Sequence, residues 1–366
     1  MIVNKIFLKN FRNYKSEEIE FDKKINIIHG NNAQGKTNIL EAIYLFALGK
    51  SNRAFHDYDV INFEEEESEI KIDFISREKE NTGEIYISKN KKKKISINEI
   101  PIKKNSDLVG RFNVVFFGPE YLSLIKEGPK KRRKNIDILI SQLKKGYLSD
   151  ISEYKKITDQ KNVFLKDEKQ DKVLLSVLND KIIDLSLRII KNRFEYVKKI
   201  EEIAKKIQLE ISEGKENLEI DYISCGIKIE NLDNLKEVIE KKAKIMFEKE
   251  KKYKECIFGP HRDDFEFKIN GLNLKLFGSQ GQQKTAILVQ KIAEVELFKE
   301  ETGEFPVLLL DDIMSELDKE RQNYVINKIK NMQIFITCTD AESLKNIKSG
   351  KFIKIEKGMV KECICI

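Results

Sequence analysis

The run Gly30-Asn31-Asn32-Ala33-Gln34-Gly35-Lys36-Thr37 constrains this chain more than any other feature. It fits G-x-x-x-x-G-K-[ST], in which a strand ends, a glycine-rich loop turns backbone N–H groups inward, and a helix begins. Glycine is required where the loop takes torsions that a Cβ would strain. The context agrees: the apolar run Ile25 to Ile28 leads in, and a helical pattern from Thr37 to Leu48 leads out. That helix aims the positive end of its dipole at the same phosphates. Lys36 is placed to bridge the β- and γ-phosphate oxygens of ATP, and the Thr37 hydroxyl to ligate Mg²⁺.

A second element fits the same chemistry. Pro306-Val307-Leu308-Leu309-Leu310-Asp311-Asp312 is an unbroken apolar strand ending in two carboxylates. Buried parallel strands read this way, and open α/β sheets bind ligands at the carboxyl ends of their strands. Asp311 is therefore expected to hold Mg²⁺ through water, and Asp312 to orient or deprotonate an attacking water. The acids lie most of the chain's length downstream of the phosphate loop, so a large insertion separates two parts of one domain. A third element, Ser279-Gln280-Gly281-Gln282-Gln283-Lys284, opens a helix running to about Phe298. Serine there either caps free N–H groups or meets a phosphate oxygen through the same donors.

Strand and helix patterns organise the rest. Residues 1–10 alternate around Ile2, Ile6 and Leu8, and a second strand is expected from Glu17 to Phe21. Between Ile70 and Ile100, short alternating segments read as an antiparallel sheet, with the charge runs at 64–67 and 91–94 as solvated turns. Phe112 to Phe117 reads as a buried strand. Helical periodicity then dominates from about 129 to 213. Ile183, Leu187, Ile190, Phe194 and Val197 step by four and three, predicting one stripe on a helix of about 30 residues, roughly 45 Å. A strand near Leu218, a charged helix over about 231–254, two short strands around Gly271 and a last strand from Gln333 to Ile336 follow. The prediction is an α/β lobe from residues 1–127 and 255–366, with a helical lobe at 128–254 carrying a short coiled-coil-like hairpin.

Composition narrows the classes. The net charge of +7 permits polyanion binding without demonstrating it. The five cysteines form no C-x-x-C pair and are expected as reduced thiols, Cys363 and Cys365 lacking further ligands nearby. No segment approaches the roughly 18 apolar residues of a membrane helix, and the N-terminus is unlike a signal peptide. A cytoplasmic protein without membrane partners is expected.

Together the three elements resemble the ATP-binding-cassette heads of the SMC-like DNA proteins. The resemblance implies that the S-x-G-Q helix of one subunit completes the ATP site of the other, with Ser279, Gly281 and Gln282 in those positions. It makes Asp311 the Mg²⁺-associated acid and Asp312 the catalytic acid, which in that superfamily is usually Glu. Ser315-Glu316-Leu317-Asp318 is similar to the loop that touches the partner subunit. Within the superfamily the chain resembles the RecF family of bacterial recombination mediators. The strings that carry this are Asn10-Phe11-Arg12-Asn13-Tyr14, Leu40-Glu41-Ala42-Ile43-Tyr44-Leu45, Phe117-Gly118-Pro119-Glu120, Lys130-Lys131-Arg132-Arg133-Lys134, Gly259-Pro260-His261-Arg262-Asp263-Asp264, and Asp311 through Asp318. Residues 140–250 carry little of it.

The resemblance implies that Arg12 and Asn13 reach the nucleotide, although a loop Arg and Asn after a strand fit a solvated turn equally well. His261 and Arg262 fit either a sensor of nucleotide or DNA, or a capped turn with an ion pair to Asp263 or Asp264. The basic run 130–134 opens a helix, where the dipole disfavours cations, so a phosphate partner is a candidate. Two departures bear on mechanism: Asp312 is one methylene shorter than Glu, and the switch histidine of many cassette ATPases would fall near Thr339, where there is none.

The implied function is ATP-dependent, sequence-independent binding of single- or double-stranded DNA by an ATP-induced homodimer. Hydrolysis would be slow and DNA-dependent, in recombinational repair, replication and the SOS response, alongside other recombination-mediator proteins that support recombinase loading. The alternatives are a scaffold that holds ATP with negligible hydrolysis, or another SMC-like DNA ATPase.

Overall fold

The structure is a computed structural model that describes residues 1–167, 172–328, 331–339 and 349–365. The chain divides into two compact units, Met1–Tyr121 with Glu294–Ile366, and Leu122–Ala293. The elements run in order as β1 (Ile2–Phe11), β2 (Tyr14–Glu20), β3 (Ile25–His29), α1 (Lys36–Leu48), β4 (Glu67–Ser76), β5 (Lys79–Ser88), β6 (Lys94–Ile97), β7 (Ile100–Pro101), α2 (Asn105–Leu108) and β8 (Val114–Phe117). The short α3 (Pro119–Leu122) leads to α4 (Pro129–Leu143), α5 (Tyr147–Lys166), α6 (Lys172–Ile211), β9 (Leu218–Ser224), β10 (Ile227–Lys228) and α7 (Leu235–Tyr253). Then come β11 (Asp264–Ile269), β12 (Leu272–Asn273), α8 (Leu274–Phe277), α9 (Gln280–Thr302), β13 (Val307–Asp311), α10 (Lys319–Lys328), β14 (Ile334–Cys338), β15 (Lys351–Glu356) and β16 (Met359–Cys365).

The first unit holds two six-stranded sheets. One has the order β16-β15-β3-β14-β13-β8. Its members from β15 to β8 are parallel, and β16 closes one edge antiparallel. The central strands β13 and β14 are buried at every position, as strands covered on both faces must be. The other sheet, β2-β1-β4-β5-β6-β7, is antiparallel, and β4 alternates buried and half-buried residues after its exposed first residue. Helix α1 contacts strands of both sheets, which explains why it is buried on nearly all sides rather than along one stripe. The approach is close: a Cβ on Gly83 of β5 would lie 2.1 Å from the Phe46 ring, so glycine there is a packing requirement. Gln333 joins the sheets, accepting from the Val3 N–H at 2.6 Å and donating to the Val3 and Asp22 carbonyls at 2.7 and 2.8 Å.

The second unit combines α4 to α7 with a four-stranded antiparallel sheet, β10-β9-β11-β12. Here the structure corrects the expected boundaries. Residues 255–293 were assigned to the ATPase lobe, but β11 pairs along its whole length with β9, so they belong with the insertion. The division falls inside α9 rather than at 254/255, and near 121 rather than 127. The long helix is also longer than predicted: α6 has 40 residues, about 60 Å at the usual rise. Its expected stripe is only a flank. Ile190 and Val197 are buried, but the main face runs through Ile182, Leu185, Ile189, Tyr196 and Ile200, because α5, β9, α4 and α7 all pack on this helix.

Within that face sits a charged residue the periodicity hides. Arg193 is buried and donates to both Asp137 carboxylate oxygens at 2.9 Å, to Asp263 at 2.7 Å and to the Pro260 carbonyl at 2.6 Å. Burial opposes its charge, but Asp137 and Asp263 hold it firmly protonated. Asp263 also accepts from Tyr222 at 2.5 Å and Ser224 at 2.6 Å, so this buried polar cluster is well satisfied.

Candidate ATP-binding site

Strand β3 delivers the chain into the loop of residues 30–35, whose backbone is held in left-handed torsions at Gly30 (φ 142°), Ala33 (φ 63°) and Gly35 (φ 115°). A Cβ on Gly30 would lie 2.4 Å from the Ile355 carbonyl oxygen, which leaves glycine as the residue that fits. Gly35 is the N-cap of α1 and no side chain caps the helix, so its first N–H groups remain available to an anion. Asn31, Asn32 and Ala33 are exposed and Gln34 is half-buried. Lys36, only 4% exposed, folds back across the loop and donates to the carbonyls of Gly30 at 2.7 Å and Asn31 at 3.0 Å. Its ammonium therefore lies over the cradle where phosphates fit.

The loop is fastened from two directions. Asn13 donates to the Gln34 carbonyl at 2.8 Å and accepts from Asn38 at 2.8 Å. The Tyr14 hydroxyl donates to the Gly35 carbonyl at 3.0 Å, and burial raises its pKa, keeping the donor proton in place. From the other side, the turn between β15 and β16 reaches Gln34: the Lys357 N–H donates to its side-chain oxygen at 2.7 Å and the Gly358 N–H to its carbonyl at 3.0 Å. Sequence reading missed this turn, because it ended the strands at Ile336. Arg12, which the resemblance places near nucleotide and whose loop position fits a turn equally well, is bonded within the protein. Its guanidinium pairs with both oxygens of the buried Glu41 at 2.6 and 3.0 Å and donates to the Asp59 carbonyl at 2.7 Å. Glu41 also accepts from Ser51 at 2.5 Å and lies 3.7 Å from Arg53. Arg12 and Asn13 thus shape the loop and its helix.

The acidic strand end comes to the same place. Thr37 donates its hydroxyl proton to Asp311 Oδ1 at 2.7 Å, across 274 residues of sequence. Thr337, at the end of β14, donates to the same oxygen at 2.8 Å. Asp312 follows in a left-handed conformation (φ 49°), its N–H donating to Thr337 Oγ1 at 2.9 Å and its carbonyl accepting from Ser315 at 2.8 Å. Burial and the neighbouring Asp311 raise the Asp312 pKa, while Lys36 pulls it back. A hydroxyl and a carboxylate converging beneath a phosphate cradle form a hard-oxygen donor set, which fits Mg²⁺. Thr339 is exposed, at the position where a switch histidine was sought.

The third element lies in the second unit. Ser279 is exposed and forms a reciprocal cap: its hydroxyl accepts from the Gln282 N–H at 3.2 Å, and its own N–H donates to the Gln282 side chain at 3.0 Å. Gln282 also donates to Glu216 at 2.9 Å, and Gly281 is half-buried. The capping reading of this serine is thus realised, and its surface position leaves the hydroxyl accessible.

In two other strings several side chains bond within the fold. Arg132 pairs with both oxygens of Asp264 at 2.7 and 3.0 Å, and Arg133 donates to the Asp263 carbonyl at 2.5 Å, so the core of the basic run serves the fold. Arg262 pairs with Glu255 at 3.2 Å rather than with Asp263 or Asp264. His261 accepts from the Tyr154 hydroxyl at Nδ1 (2.6 Å) and donates from Nε2 to the Cys256 carbonyl (3.1 Å), an arrangement for neutral imidazole.

Burial pushes the His261 pKa down to about 4. The unfolded chain protonates this group at a higher pH than the folded one. Its contribution to stability is therefore intact above the unfolded pKa and lost as pH falls toward the folded value. Between pH 7 and pH 4.5, wild type should lose about 2 kcal/mol more unfolding free energy than His261→Asn, which cannot titrate. Denaturant titrations at the two pH values measure this, and equal losses would refute it.

The RecF/RecN/SMC N terminal domain family matches residues 2–362. Among curated proteins, the DNA replication and repair protein RecF of Acetivibrio thermocellus is 44% identical over 98% of this chain and 99% of its own. That of Clostridium tetani is 43% identical over 100% of both. Among solved structures, the recombination mediator protein RecF with ATP in the RecFOR pathway superposes with a TM-score of 0.89 at 38% identity, covering 99% of this chain and 97% of that one. An Smc head bound to the C-winged helix domain of ScpA matches with a TM-score of 0.58 at 17% identity, a likeness of fold alone.

Proposed function

The chain belongs to the RecF family of DNA replication and repair proteins, and from that premise we propose that it is an ATP-gated clamp. Two copies close on DNA when each holds ATP, and slow hydrolysis releases them. One observation carries the reading: Thr37 and Asp311 meet at 2.7 Å below a loop whose lysine is already buried over the phosphate cradle.

The residues divide the work by chemistry. Lys36 exchanges its bonds to the Gly30 and Asn31 carbonyls for β- and γ-phosphate oxygens. The N–H groups of residues 31–36 and the open end of α1 hold the remaining phosphate charge. Thr37 and Asp311 are the residues that would hold Mg²⁺, which when bound neutralises charge on the β- and γ-phosphates. Asp312 orients a water or takes its proton. Ser279 turns its hydroxyl and the N–H groups of its helix toward the γ-phosphate on a second copy, so that nucleotide glues the pair. Phosphate contacts along DNA give binding without sequence preference. Relatives named as replication and repair proteins, and one placed in the RecFOR pathway, support other recombination mediators as partners. Among the described residues no helix is long and apolar enough to cross a membrane.

The shorter acid at 312 and the threonine at 339 favour ATP acting more as clamp than as fuel. Phosphate release should be slow, rise with duplex DNA, and fall by about tenfold or more in Asp312→Asn, in line with loss of a general base. Equal rates in the two proteins would leave a scaffold that holds ATP without turning it over.

A further inference from the structure

We propose that Thr337 is the positioning residue of the acidic pair, its single hydroxyl fixing the Asp311 carboxylate and the turned backbone of Asp312 together. The proposal rests on the reading of the site as an Mg²⁺–ATP site, and it deepens that reading by naming what registers the two acids.

The topology makes this possible. β14 lies between the phosphate-loop strand β3 and the acidic strand β13. In the parallel register Thr337 stands beside Asp311 on one side and Ile28 on the other. It is fully buried. A threonine hydroxyl has one proton and two lone pairs. The proton goes to Asp311 Oδ1 at 2.8 Å, and a lone pair takes the Asp312 N–H at 2.9 Å. The two bonds have different purposes. The first, with the bond from Thr37 at 2.7 Å, holds the rotamer of the carboxylate on the metal side. The second stabilises a left-handed non-glycine residue, a conformation that persists only when its surroundings impose it. Ser315 holds the carbonyl of the same residue at 2.8 Å, so the backbone of Asp312 is pinned at both ends by hydroxyls. The shape of a threonine does not suffice. Valine fills the same space but can neither donate nor accept, leaving the Asp312 N–H without its partner and Asp311 with one hydroxyl instead of two.

The test compares Thr337→Val and Thr337→Ser with wild type in the full chain. Affinity for a fluorescent ATP analogue is measured in EDTA and across an Mg²⁺ titration, and phosphate release is measured at saturating Mg²⁺–ATP. In EDTA all three proteins should bind the nucleotide within about twofold, since Lys36 and the loop are untouched. The valine protein should need on the order of tenfold more Mg²⁺ for half-maximal enhancement of affinity, and its turnover should fall about tenfold with little change in KM. The serine protein should match wild type. A valine protein with wild-type Mg²⁺ dependence and turnover would overturn the proposal. So would a serine protein as impaired as valine, because shape rather than the hydroxyl would then be at work. Should the valine protein fail to fold, Thr337→Ala carries the same expectations. A wild type that binds nucleotide but releases no phosphate would defeat the hydrolytic reading alone, and the Mg²⁺ titration would still decide the role of Thr337.

Discussion

Lys36→Ala is expected to weaken ATP binding by about a hundredfold or more while leaving the fold intact. The ammonium is the cation buried over the phosphate cradle, where it would make charge-assisted bonds to two phosphate groups. Such bonds contribute roughly 1.5–3 kcal/mol each, so losing both amounts to two or more decades in affinity. The structural cost is small by comparison. Among the described residues Lys36 bonds to two loop carbonyls, and Asn13, Tyr14 and the Lys357–Gly358 turn hold the loop without it. Calorimetric titration with ATP and thermal unfolding of the free protein, run together, separate the two effects. A variant that binds ATP within a few-fold of wild type would remove the phosphate site from its assigned place.

The second large effect concerns a residue whose structural role is already satisfied. Ser279 caps its helix, and any substitution that removes the cap confuses loss of helix stability with loss of a phosphate contact. Aspartate avoids this, because it caps about as well as serine. What it adds is a negative charge where the partner's triphosphate is proposed to sit. Like charges brought together in an interface cost several kcal/mol, enough to lower ATP-driven association by a hundredfold or more. Ser279→Asp is therefore expected to melt like wild type and to bind ATP as a monomer with unchanged affinity, yet to remain monomeric at saturating ATP. Light scattering with and without nucleotide measures this. Normal association would confine Ser279 to its capping role.

How much of this was legible in the sequence depends on how local each signal is. The phosphate loop lies in consecutive residues whose spacing has one physical use, and Thr37 and Asp311 meet as that use requires. Met1–Tyr121 and Glu294–Ile366, from the two ends of the chain, lie in one unit, and the signal for it was the unbroken apolar run of β13. Legibility failed where a partner rather than a pattern decides. β11 alternates as any half-buried strand does, and nothing in its residues says that it pairs with β9 rather than joining the ATPase sheets. β15 and the edge strand β16 carry Lys351, Lys354, Glu356 and Lys361 among their apolar residues, which breaks the apolar run that marked the inner strands, and so went unread. With them went the turn that clamps Gln34 from 323 residues away.

Charged residues carry a more regular ambiguity. Arg12, Arg132 and Arg133 were taken as candidates for ligand phosphate, and Arg193 was invisible within an apolar stripe. In the structure, Arg12, Arg132 and Arg193 each meet a carboxylate in fork geometry, while Arg133 meets the Asp263 carbonyl. An arginine that binds an internal carboxylate and one that binds a phosphate use the same donors, so composition cannot tell them apart. Thr337 is the converse case. It lies two residues before Thr339, where a switch histidine was sought, and its own hydroxyl, which touches both acids, carried no signal of its own.

The central claim is that each ATP is shared, the Lys36 loop coming from one copy and the Ser279 helix from the other. Mixing the two variants tests it directly. Lys36→Ala and Ser279→Asp should each stay monomeric in saturating ATP and Mg²⁺. Combined in equal amounts, they should form a heterodimer retaining one ATP, because the intact loop of the second meets the intact helix of the first. Sedimentation velocity with a labelled nucleotide reads both quantities at once. A mixture that stays monomeric while wild type dimerises, or an Lys36→Ala protein that dimerises alone, would contradict the shared site.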